Sequence, residues 1–328
     1  MLQKHDQPIC HSDVAVVAIG RNEGARLIAC LESILGRAGK VIYVDSGSTD
    51  GSREAATAQY AELIDLDMSL PFTAARARNA GLEWLLQKAG RFSYVQFIDG
   101  DCTLHSHWID AGRSFLRANP DVVAVAGNLR EKHPDVSIYN QLCADEWHAP
   151  AGEIRACGGI VMMRLDAVLK EGGFRDELIA GEEPELCVRL RKSGWKIWRL
   201  DAEMASHDAA MTRFGQWWQR VRRGGYAFAE GVALHGAPPE RHCVPELRRL
   251  VLWGMVLPLA TLSGVLITPW ALVLLLAWPL QVLRLRLRGM SWTQALFLTL
   301  AKLPEAQGAL TYWWRRLTSA RVRLIEYK

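Results

Sequence analysis

Apolar and polar residues alternate in blocks along the first hundred positions, and the blocks have the lengths of strands and helices. Residues 14–19 (VAVVAI) are apolar, rich in β-branched side chains and followed by Gly20, which predicts a buried strand. Further strands are predicted at 40–44, 63–66 and 94–98, with helices at 23–35 and 74–88. Strands that alternate with helices in this way predict an α/β fold built on a parallel sheet with right-handed crossovers.

A different pattern occupies residues 251–283, which contain no charged side chain. One spanning helix needs about 20 such residues, so the run is too long for one untilted crossing and short for two. Thr268 precedes Pro269 near its middle, and a residue before proline is disfavoured in a helix, which predicts a turn there. We therefore interpret the run as a hairpin of two short helices, either membrane-inserted or buried in a soluble protein.

The distribution of charge favours the membrane. From Arg248 onward there are eleven Lys and Arg against two Asp and Glu, whereas the rest of the chain has 28 against 33. Cationic residues flank the apolar run on both sides, which predicts that both ends of the hairpin are cytoplasmic. Residues 284–328 mix Trp and Leu with Arg, as is typical of amphipathic helices at a lipid interface. We therefore divide the chain into a body, 1–245, and a membrane-associated helical region, 246–328.

Composition excludes several classes of protein. The 328 residues are 50% apolar and 9% aromatic, which excludes a disordered chain. Residues 1–13 are polar and lack the apolar segment of a signal peptide, so the body is expected to stay in the cytoplasm. The seven cysteines are widely spaced without a CxxC pair, which argues against a disulfide framework or a zinc site. The body is net acidic and the basic residues lie beside lipid-like segments, so no nucleic-acid partner is expected.

Two acidic groups directly follow predicted strands. Asp99 and Asp101, one residue apart, follow the fourth strand, and Asp45 follows the second. Ligands of such sheets bind at the carboxyl ends of the strands. The DxD pair suits a divalent cation with substrate phosphates, or a cation on one carboxylate and a ribose hydroxyl on the other. Asp45 suits a base or sugar hydroxyl, and the alternative for this loop is that Asp50 or Ser52 caps the next helix.

A third acidic group lies further along the chain. Glu182 and Glu183 come before Pro184, which predicts a helix start with the two acids in the preceding turn. A carboxylate there can act as a general base, and a favourable interaction with the helix dipole is the structural alternative. His207 ends a strand predicted at 197–207 and suits either a metal ligand or a structural position.

A basic segment at 216–230 carries Gln219, Arg220 and Arg223 beside two tryptophans. Guanidinium groups suit phosphate because they donate hydrogen bonds in pairs. A basic face near lipid headgroups is the alternative. The body has neither a Walker A lysine nor a GxGxxG motif, which argues against a P-loop NTPase and a dinucleotide-binding fold.

Taken in order, these motifs resemble those of the family 2 glycosyltransferases of the GT-A fold, over about residues 15–230. The segments that carry the resemblance are VVAIGRNEG (16–24), VDSGSTDGS (44–52), ARARNAG (75–81), FIDGDC (97–102), CGGIVMMRLDAVLKEGGF (157–174), GEEPELCVRLRKSGW (181–195) and His207. The resemblance implies a Rossmann-like, mostly parallel central sheet flanked by helices. The C-terminal region is similar to that of family members with a membrane hairpin followed by amphipathic helices.

The resemblance also implies how the donor is bound. Asp45 would contact the nucleotide base, Arg78 would help to hold the nucleotide, and Asp99 would bind the ribose or the metal. Asp101 and His207 would bind a divalent cation, Mg²⁺ or Mn²⁺, together with the diphosphate.

The remaining assignments concern catalysis. In the family, the catalytic base is the second acid of a Glu–Asp pair, and that position falls on Glu183. Because this chain has Glu where Asp is usual, Glu182 is kept as the alternative base. Gln219, Arg220 and Arg223 loosely match a Gln/Arg-rich segment that lies near the diphosphate in processive members.

The resemblance therefore implies an inverting, metal-dependent transfer of sugar from a nucleotide-diphosphate sugar, of UDP type, to a hydroxyl. A basic, apolar tail adds the expectation of membrane lipids as partners, a lipid-linked saccharide as acceptor, and a place at the cytoplasmic face of the cell membrane in polysaccharide biosynthesis. The alternatives are a polyprenyl-phosphate sugar synthase and a non-catalytic, membrane-anchored sensor of nucleotide sugars.

Overall fold

The computed structural model describes residues 10–59, 61–88 and 90–318, and these form two compact units. The first comprises Met1–Pro134, Cys143–Leu178 and Glu182–Ala210, and the second comprises Asp135–Leu142, Ile179–Gly181 and Met211–Lys328. The second of these packed units begins upstream of residue 246. The boundary at 245/246 was chosen from composition and marks the predicted start of the membrane-associated region, and it stays a prediction. The expectations for the polar N-terminus and the end of the basic tail fall largely on residues 1–9 and 319–328, outside the described residues.

One mixed sheet lies in the first unit. Its described strands are β1 His11–Gly20, β2 Ala38–Asp45, β3 Glu62–Asp65, β4 Tyr94–Asp99, β5 Cys102–Leu104, β6 Val122–Glu131, β7 Gly152–Glu153, β8 Val161–Arg164 and β9 Lys196–His207. They are ordered β3-β2-β1-β4-β8-β6-β9-β5, and β7 pairs with β9.

The described helices are interspersed with these strands up to β9, and the described elements after β9 are all helical. They are α1 Ala25–Ile34, α2 Ser52–Ala58, α3 Ala74–Leu86, α4 Trp108–Ala118, α5 Ile138–Trp147, α6 Leu165–Lys170, α7 Glu182–Lys192, α8 Phe214–His235, α9 Val244–Val251, α10 Leu257–Val265, α11 Ala277–Leu287, α12 Trp292–Leu300 and α13 Lys302–Thr318. Short 3₁₀ segments lie at Pro134–Val136 and Pro269–Leu276, and a π-helical segment lies at Leu252–Val256.

The N-terminal half of the sheet is parallel and confirms the α/β prediction. Strands β2 and β4 flank β1, and β3 pairs with β2, all in parallel. Residues 14–19 of β1 are buried because helices cover both faces of the sheet, which explains why this strand is uniformly apolar rather than alternating. The register sets Gly20 opposite Asp45 and Ile19 opposite Asp99. Two of the predicted acids therefore lie at the carboxyl ends of the two strands that flank β1.

Beyond β4 the sheet is mixed rather than parallel. Strand β8 is antiparallel to both β4 and β6, and β6 runs parallel to β9. The short strand β5 is antiparallel to β9. As a result, His207 at the end of β9 lies opposite Glu131 of β6 on one side and Cys102 of β5 on the other.

The second unit is helical in its described residues. Helices α8 and α13 approach closely because each has a glycine at the crossing. A Cβ on Gly225 would lie 2.0 Å from the carbonyl oxygen of Glu305, and one on Gly308 would lie 2.0 Å from that of Arg222. Their interface buries Tyr226, whose ring meets that of Tyr312 edge to face.

The apolar run 251–283 lies in two helical arms. The first arm is α9, the π-helical segment and α10, and the second is Pro269–Leu276 with α11. Thr268 ends the turn between them and its side chain accepts a hydrogen bond from the Trp270 N–H. Gly264 lies against Ala271 of the other arm, since a Cβ on it would come within 2.7 Å of the Ala271 Cβ.

The turn of this pair of arms is exposed and apolar. Leu266 and Ile267 are 87% and 88% exposed, and Trp270 is 81% exposed. Among the described residues, the stretch Pro269–Leu287 is the one helix whose length and composition would allow it to cross a membrane, and none of its apolar window is buried.

Candidate active site

Asp45 is the last residue of β2, and its side chain accepts hydrogen bonds from the loop that follows. One carboxylate oxygen accepts hydrogen bonds from the N–H groups of Gly47 and Ser48, at 2.9 and 2.8 Å, and the other accepts from the Tyr43 hydroxyl at 3.1 Å. Asp45 is only 1% exposed. It therefore shapes the loop after β2, and its predicted contact with a nucleotide base stays a prediction.

In the second half of that loop, Asp50 and Ser52 hold the start of α2, although the N-cap residue itself is Gly51 rather than either of them. Asp50 accepts hydrogen bonds from the N–H and hydroxyl of Ser52, at the start of α2. The Ser52 hydroxyl in turn accepts from the Gly24 N–H at 3.2 Å. Asp50 and Ser52 thus stabilise the helix start and the adjacent loop, while Asp45 lies at the strand end.

Arg78 links two of the predicted site residues. Its guanidinium donates to Glu182 Oε1 at 2.6 Å and to Asp99 Oδ1 at 2.9 Å. Arg78 is 2% exposed, and Gly159 leaves room for it, because a Cβ there would lie 2.6 Å from Arg78 Nη2. Burial by itself would lower the pKa of Arg78, but the carboxylates of Asp99 and Glu182 raise it, so the charge is held firmly. Arg78 therefore organises the acids, and its predicted contact with nucleotide remains untested.

Asp101 and His207 are brought together by the register of β5 and β9. His207 Nε2 lies 3.3 Å from Asp101 Oδ2, and Asp101 is 5% exposed. On the other side, His207 Nδ1 lies 3.7 Å from Glu131 Oε2, and this buried nitrogen has no hydrogen-bond partner among the described residues. The Trp147 ring meets the imidazole edge to face at 4.8 Å. His207 is thus fixed between two carboxylates and an indole.

This pair fits a divalent cation. Neighbouring ligands on an octahedral ion with bonds of about 2.1 Å lie roughly 3.0 Å apart, close to the observed 3.3 Å. The described residues that converge here as a ligand set are Asp101, Cys102 and His207. Asp99 is held by Arg78 instead, which suits the ribose side of its predicted role. Glu131 accepts hydrogen bonds from the N–H groups of His133 and Ala209, and a carboxylate so anchored can orient a metal-binding imidazole.

Glu182 and Glu183 lie in the first turn of α7, not in the turn before it. The prediction of a preceding turn was wrong because Pro184 occupies the third position of the helix, not the first. The first four N–H groups of a helix have no partner within it, so a proline that lacks this group is tolerated at the third position as well. The first-turn position matters because successive residues point to different sides. Glu182 reaches Arg78, whereas Glu183 turns toward the loop before β8.

Glu183 is held by neutral donors. Its Oε1 accepts hydrogen bonds from the Cys157 N–H at 2.7 Å, the Cys157 thiol at 2.9 Å and the Cys187 thiol at 2.8 Å. Burial raises the pKa of Cys187 to about 11 and raises the pKa of Cys157 well above its usual value, so both thiols stay protonated and can donate. A carboxylate paired with a guanidinium is a poorer proton acceptor than one held by neutral groups. This contrast favours Glu183 over Glu182 as a base.

The three polar residues predicted on the basic segment lie on α8, in the second unit. Arg223 Nε donates to the carbonyl oxygen of Ile179 at 2.9 Å, and Gln219 Oε1 accepts from Arg222 at 3.4 Å. Arg220 lies on the same helix, between them. Their contact with a diphosphate remains a prediction from sequence.

Sequence reasoning missed four residues of the site: Glu131, Trp147, Cys157 and Cys187. Cys187 follows Glu183 by four positions, which places the two on one helix face, and this spacing was a usable signal. Cys157 lies 26 residues from Glu183, and Glu131 and Trp147 are far from His207 in sequence, so no local pattern indicates them.

Replacing Arg78 by Met should destabilise the first unit by about 3 kcal/mol. That is the lower end of the range for removing one member of a buried charge cluster, because the Asp99 side chain is still 39% exposed. Urea denaturation measures the loss, and the exposed Arg117 replaced by Met is the control. Equal stability of the two variants would contradict a structural role of Arg78.

Comparisons with known proteins indicate a glycosyltransferase. Residues 15–161 match the sequence model described as "Glycosyl transferase family 2". Glycosyltransferase AglE from Haloferax volcanii is 25% identical over 209 residues, which cover 60% of this chain and 67% of that protein. Pre-mycofactocin glycosyltransferase from Mycobacterium tuberculosis is 26% identical over 210 residues, which cover 60% of this chain and 43% of that protein.

Among solved structures, the fold resembles that of the mannosyltransferase PcManGT from Pyrobaculum calidifontis, solved in complex with GDP-Man and Mn²⁺. The two share a TM-score of 0.61 and 18% sequence identity, over 93% of this chain and 88% of that chain. At this level of identity the likeness establishes the fold, a central sheet flanked by helices, as the resemblance implied.

Proposed function

We propose that this chain is a family 2 glycosyltransferase of the GT-A fold, and that it transfers a sugar from a UDP-type nucleotide sugar to a hydroxyl of a lipid-linked saccharide, with inversion. The observation that supports the proposal most is that three arrangements of acidic residues occur within one unit. Asp99 and Glu182 both pair with Arg78, and Asp101 lies against His207. Glu183 accepts hydrogen bonds from neutral donors. Both curated relatives are named as glycosyltransferases.

In the proposed donor complex, Asp45 and Asp99 lie at the carboxyl ends of β2 and β4, where the base and ribose would bind. Asp101 and His207 would hold a divalent cation, Mg²⁺ or Mn²⁺. Such a cation, when bound, neutralises charge on the two phosphates and on the departing nucleoside diphosphate. The Mn²⁺ in the PcManGT complex supports this choice of cofactor class. Gln219, Arg220 and Arg223 remain proposed donor ligands.

Glu183 acts as the general base in this proposal. Its carboxylate accepts the proton of the acceptor hydroxyl while that oxygen attacks the anomeric carbon from the face opposite the diphosphate. The bond from the anomeric carbon to the diphosphate oxygen breaks with its electron pair, and the nucleoside diphosphate leaves. Arg78 keeps Glu182 and Asp99 in place throughout, because it pairs with both.

The acceptor is proposed from the C-terminal arms. Their exposed apolar turn, together with Arg284, Arg286 and Arg288 at the end of the second arm, suits the acyl and headgroup regions of an anionic bilayer. A saccharide on a polyprenyl diphosphate would meet a tethered enzyme at high local concentration. We place this reaction at the cytoplasmic face of the cell membrane, in polysaccharide biosynthesis.

Membrane binding by the arms predicts that the purified protein floats with vesicles that contain anionic phospholipid. Replacing Leu266 and Ile267 together by Asp should abolish flotation, since two charges would enter the apolar phase at the turn. Leu70, which is 56% exposed in the first unit, replaced by Asp is the matched control and should float normally. Undiminished flotation of the double variant would contradict membrane binding by the arms.

The enzymatic proposal is tested by release of nucleoside diphosphate from a panel of nucleotide sugars, with Mn²⁺ or Mg²⁺ and with polyprenyl-linked saccharide as acceptor. Release that requires both the cation and the saccharide supports it. A product that is a sugar-phosphate lipid, cleaved by mild acid, would instead identify a polyprenyl-phosphate sugar synthase. Binding of a nucleotide sugar without release across the panel would indicate the sensor.

A further inference from the structure

A compact group of two sulfur atoms and one carboxylate oxygen lies in the first unit, on residues other than those of the cation pair already described. The Sγ atoms of Cys157 and Cys187 are 3.6 Å apart, and Glu183 Oε1 lies 2.9 and 2.8 Å from them. The three residues offer ligand atoms that all lie within 4.8 Å of one another. The proposed transfer reaction uses the carboxylate and leaves both thiols without a chemical role.

The backbone fixes this group. Glu183 and Cys187 are one turn apart on α7, so their side chains share a face. Cys157 precedes β8, and its N–H donates to Glu183 at 2.7 Å, which ties its loop to the helix. All three are at most 4% exposed, so their positions are set by packing.

The spacing of the sulfur atoms suits a tetrahedral soft cation. Two thiolates on one zinc ion, with bonds of about 2.3 Å, lie roughly 3.8 Å apart, close to the observed 3.6 Å. The oxygen would have to move outward by about 0.6 Å to reach the same ion, which a small rotation of the Glu183 side chain provides. Thiolate ligands select Zn²⁺ and related ions, whereas Mg²⁺ and Mn²⁺ prefer oxygen-rich sites such as that at Asp101.

We propose that Cys157, Cys187 and Glu183 form a second cation site, which takes a thiophilic divalent ion such as Zn²⁺ or Cd²⁺. The ion forms two metal–sulfur bonds and one bond to Glu183 Oε1, and the two thiol protons are released to the buffer. No electron is transferred, so no oxidant or reductant is needed. The fourth coordination position is left for water or a substrate hydroxyl.

Occupation of this site has a consequence that rests on the proposed function. A Glu183 carboxylate bound to a cation is no longer available to accept the acceptor's proton. A thiophilic ion would therefore stop sugar transfer while donor binding at Asp101 and His207 continues. The site would make the enzyme sensitive to zinc.

The binding test is a titration of the full-length, reduced protein with Cd²⁺, read as the ultraviolet charge-transfer absorbance of cadmium thiolate. The expected result is one equivalent of Cd²⁺ with this absorbance, displaced by Zn²⁺. Cys187→Ser and Cys157→Ser should each weaken binding by about 100-fold or more, because each removes a ligand. Serine keeps the size and a hydrogen-bond donor to Glu183, and the melting temperature checks that each variant folds.

Two further variants separate this site from other thiols. Cys102→Ser removes the sulfur beside Asp101 and His207, and Cys143→Ser removes a buried thiol elsewhere in the first unit. Both should keep the absorbance at full strength. Its absence in the wild-type protein, or its persistence in Cys187→Ser or its loss in Cys102→Ser, would overturn the assignment.

The inhibition test adds Zn²⁺ to the transfer assay at saturating Mg²⁺. Loss of transfer in the wild-type protein, reversed by a zinc chelator, together with unchanged affinity for the nucleoside diphosphate, is the expected result. If Cd²⁺ binds as described but transfer continues at full occupancy, the site stands and Glu183 is not the base. If transfer needs Glu183 but no thiolate absorbance appears, the proposed function stands and the second site is wrong.

Discussion

Glu183→Gln should lower kcat for sugar transfer by about 10²–10⁴-fold while the affinity for the nucleoside diphosphate stays unchanged. Glutamine has nearly the same shape and can still accept hydrogen bonds from Cys157 and Cys187, but it cannot take a proton from the acceptor hydroxyl. The donor is bound by other residues, so the loss is expected in the chemical step alone. Single-turnover transfer measures the step, and titration calorimetry with nucleoside diphosphate and Mn²⁺ measures binding.

The control for this variant is Glu177→Gln, which neutralises an exposed carboxylate in the loop before α7. It should transfer sugar at the wild-type rate. If instead Glu183→Gln is fully active and Glu182→Gln is inactive with intact stability, the base is Glu182, and the argument from its pairing with Arg78 fails. A Glu183→Asp variant restores the acid usual in the family and should retain measurable activity.

Asp101→Asn should weaken cation-dependent binding of the nucleoside diphosphate by about 100-fold or more. The substitution keeps the shape of the side chain but removes the charge that a divalent cation requires, and His207 alone is a weak site. Binding measured without divalent cation should be the same in variant and wild type, because only the cation-dependent part is lost. Calorimetry with and without Mn²⁺ compares the two directly.

The matched control is Asp121→Asn, an exposed carboxylate that pairs with Lys196 in the same unit. It should bind nucleoside diphosphate as the wild-type protein does. Cation dependence that is undiminished in Asp101→Asn would place the cation on other carboxylates, with Asp99 the first to examine. Such a result would also show that Asp101 and His207 do not bind the same cation.

Much of the fold could be predicted from the order of apolar and polar blocks. The strands at 14–19, 40–44, 63–66 and 94–98 correspond to β1, β2, β3 and β4, with ends that differ by a few residues. A buried parallel strand must be apolar on both faces, so it stands out in the sequence without knowledge of its partners. The antiparallel strands β5 and β7, of three and two residues, were not predicted because they are too short to show a period.

The acids of the site were predictable for a related reason. Asp45, Asp99 and Asp101 lie next to strands that the pattern reveals, and a parallel sheet brings strand ends to one edge. His207 is a harder case. It could be named from sequence, but its meeting with Asp101 depends on β9 lying between β6 and β5, a pairing of strands far apart in the chain.

By itself, then, the amino-acid order determined what short-range physics controls: strands β1 to β4, the helices between them at α1 and α3, the turn before Pro269, and the acids at strand ends. Only the tertiary structure decided the partners. It joined Asp99 to Glu182 through Arg78, and it set two cysteines 30 residues apart against Glu183. The reason is that a side chain's protonation, ligands and neighbours depend on contacts across the sheet and between loops, and no local sequence pattern encodes these distances.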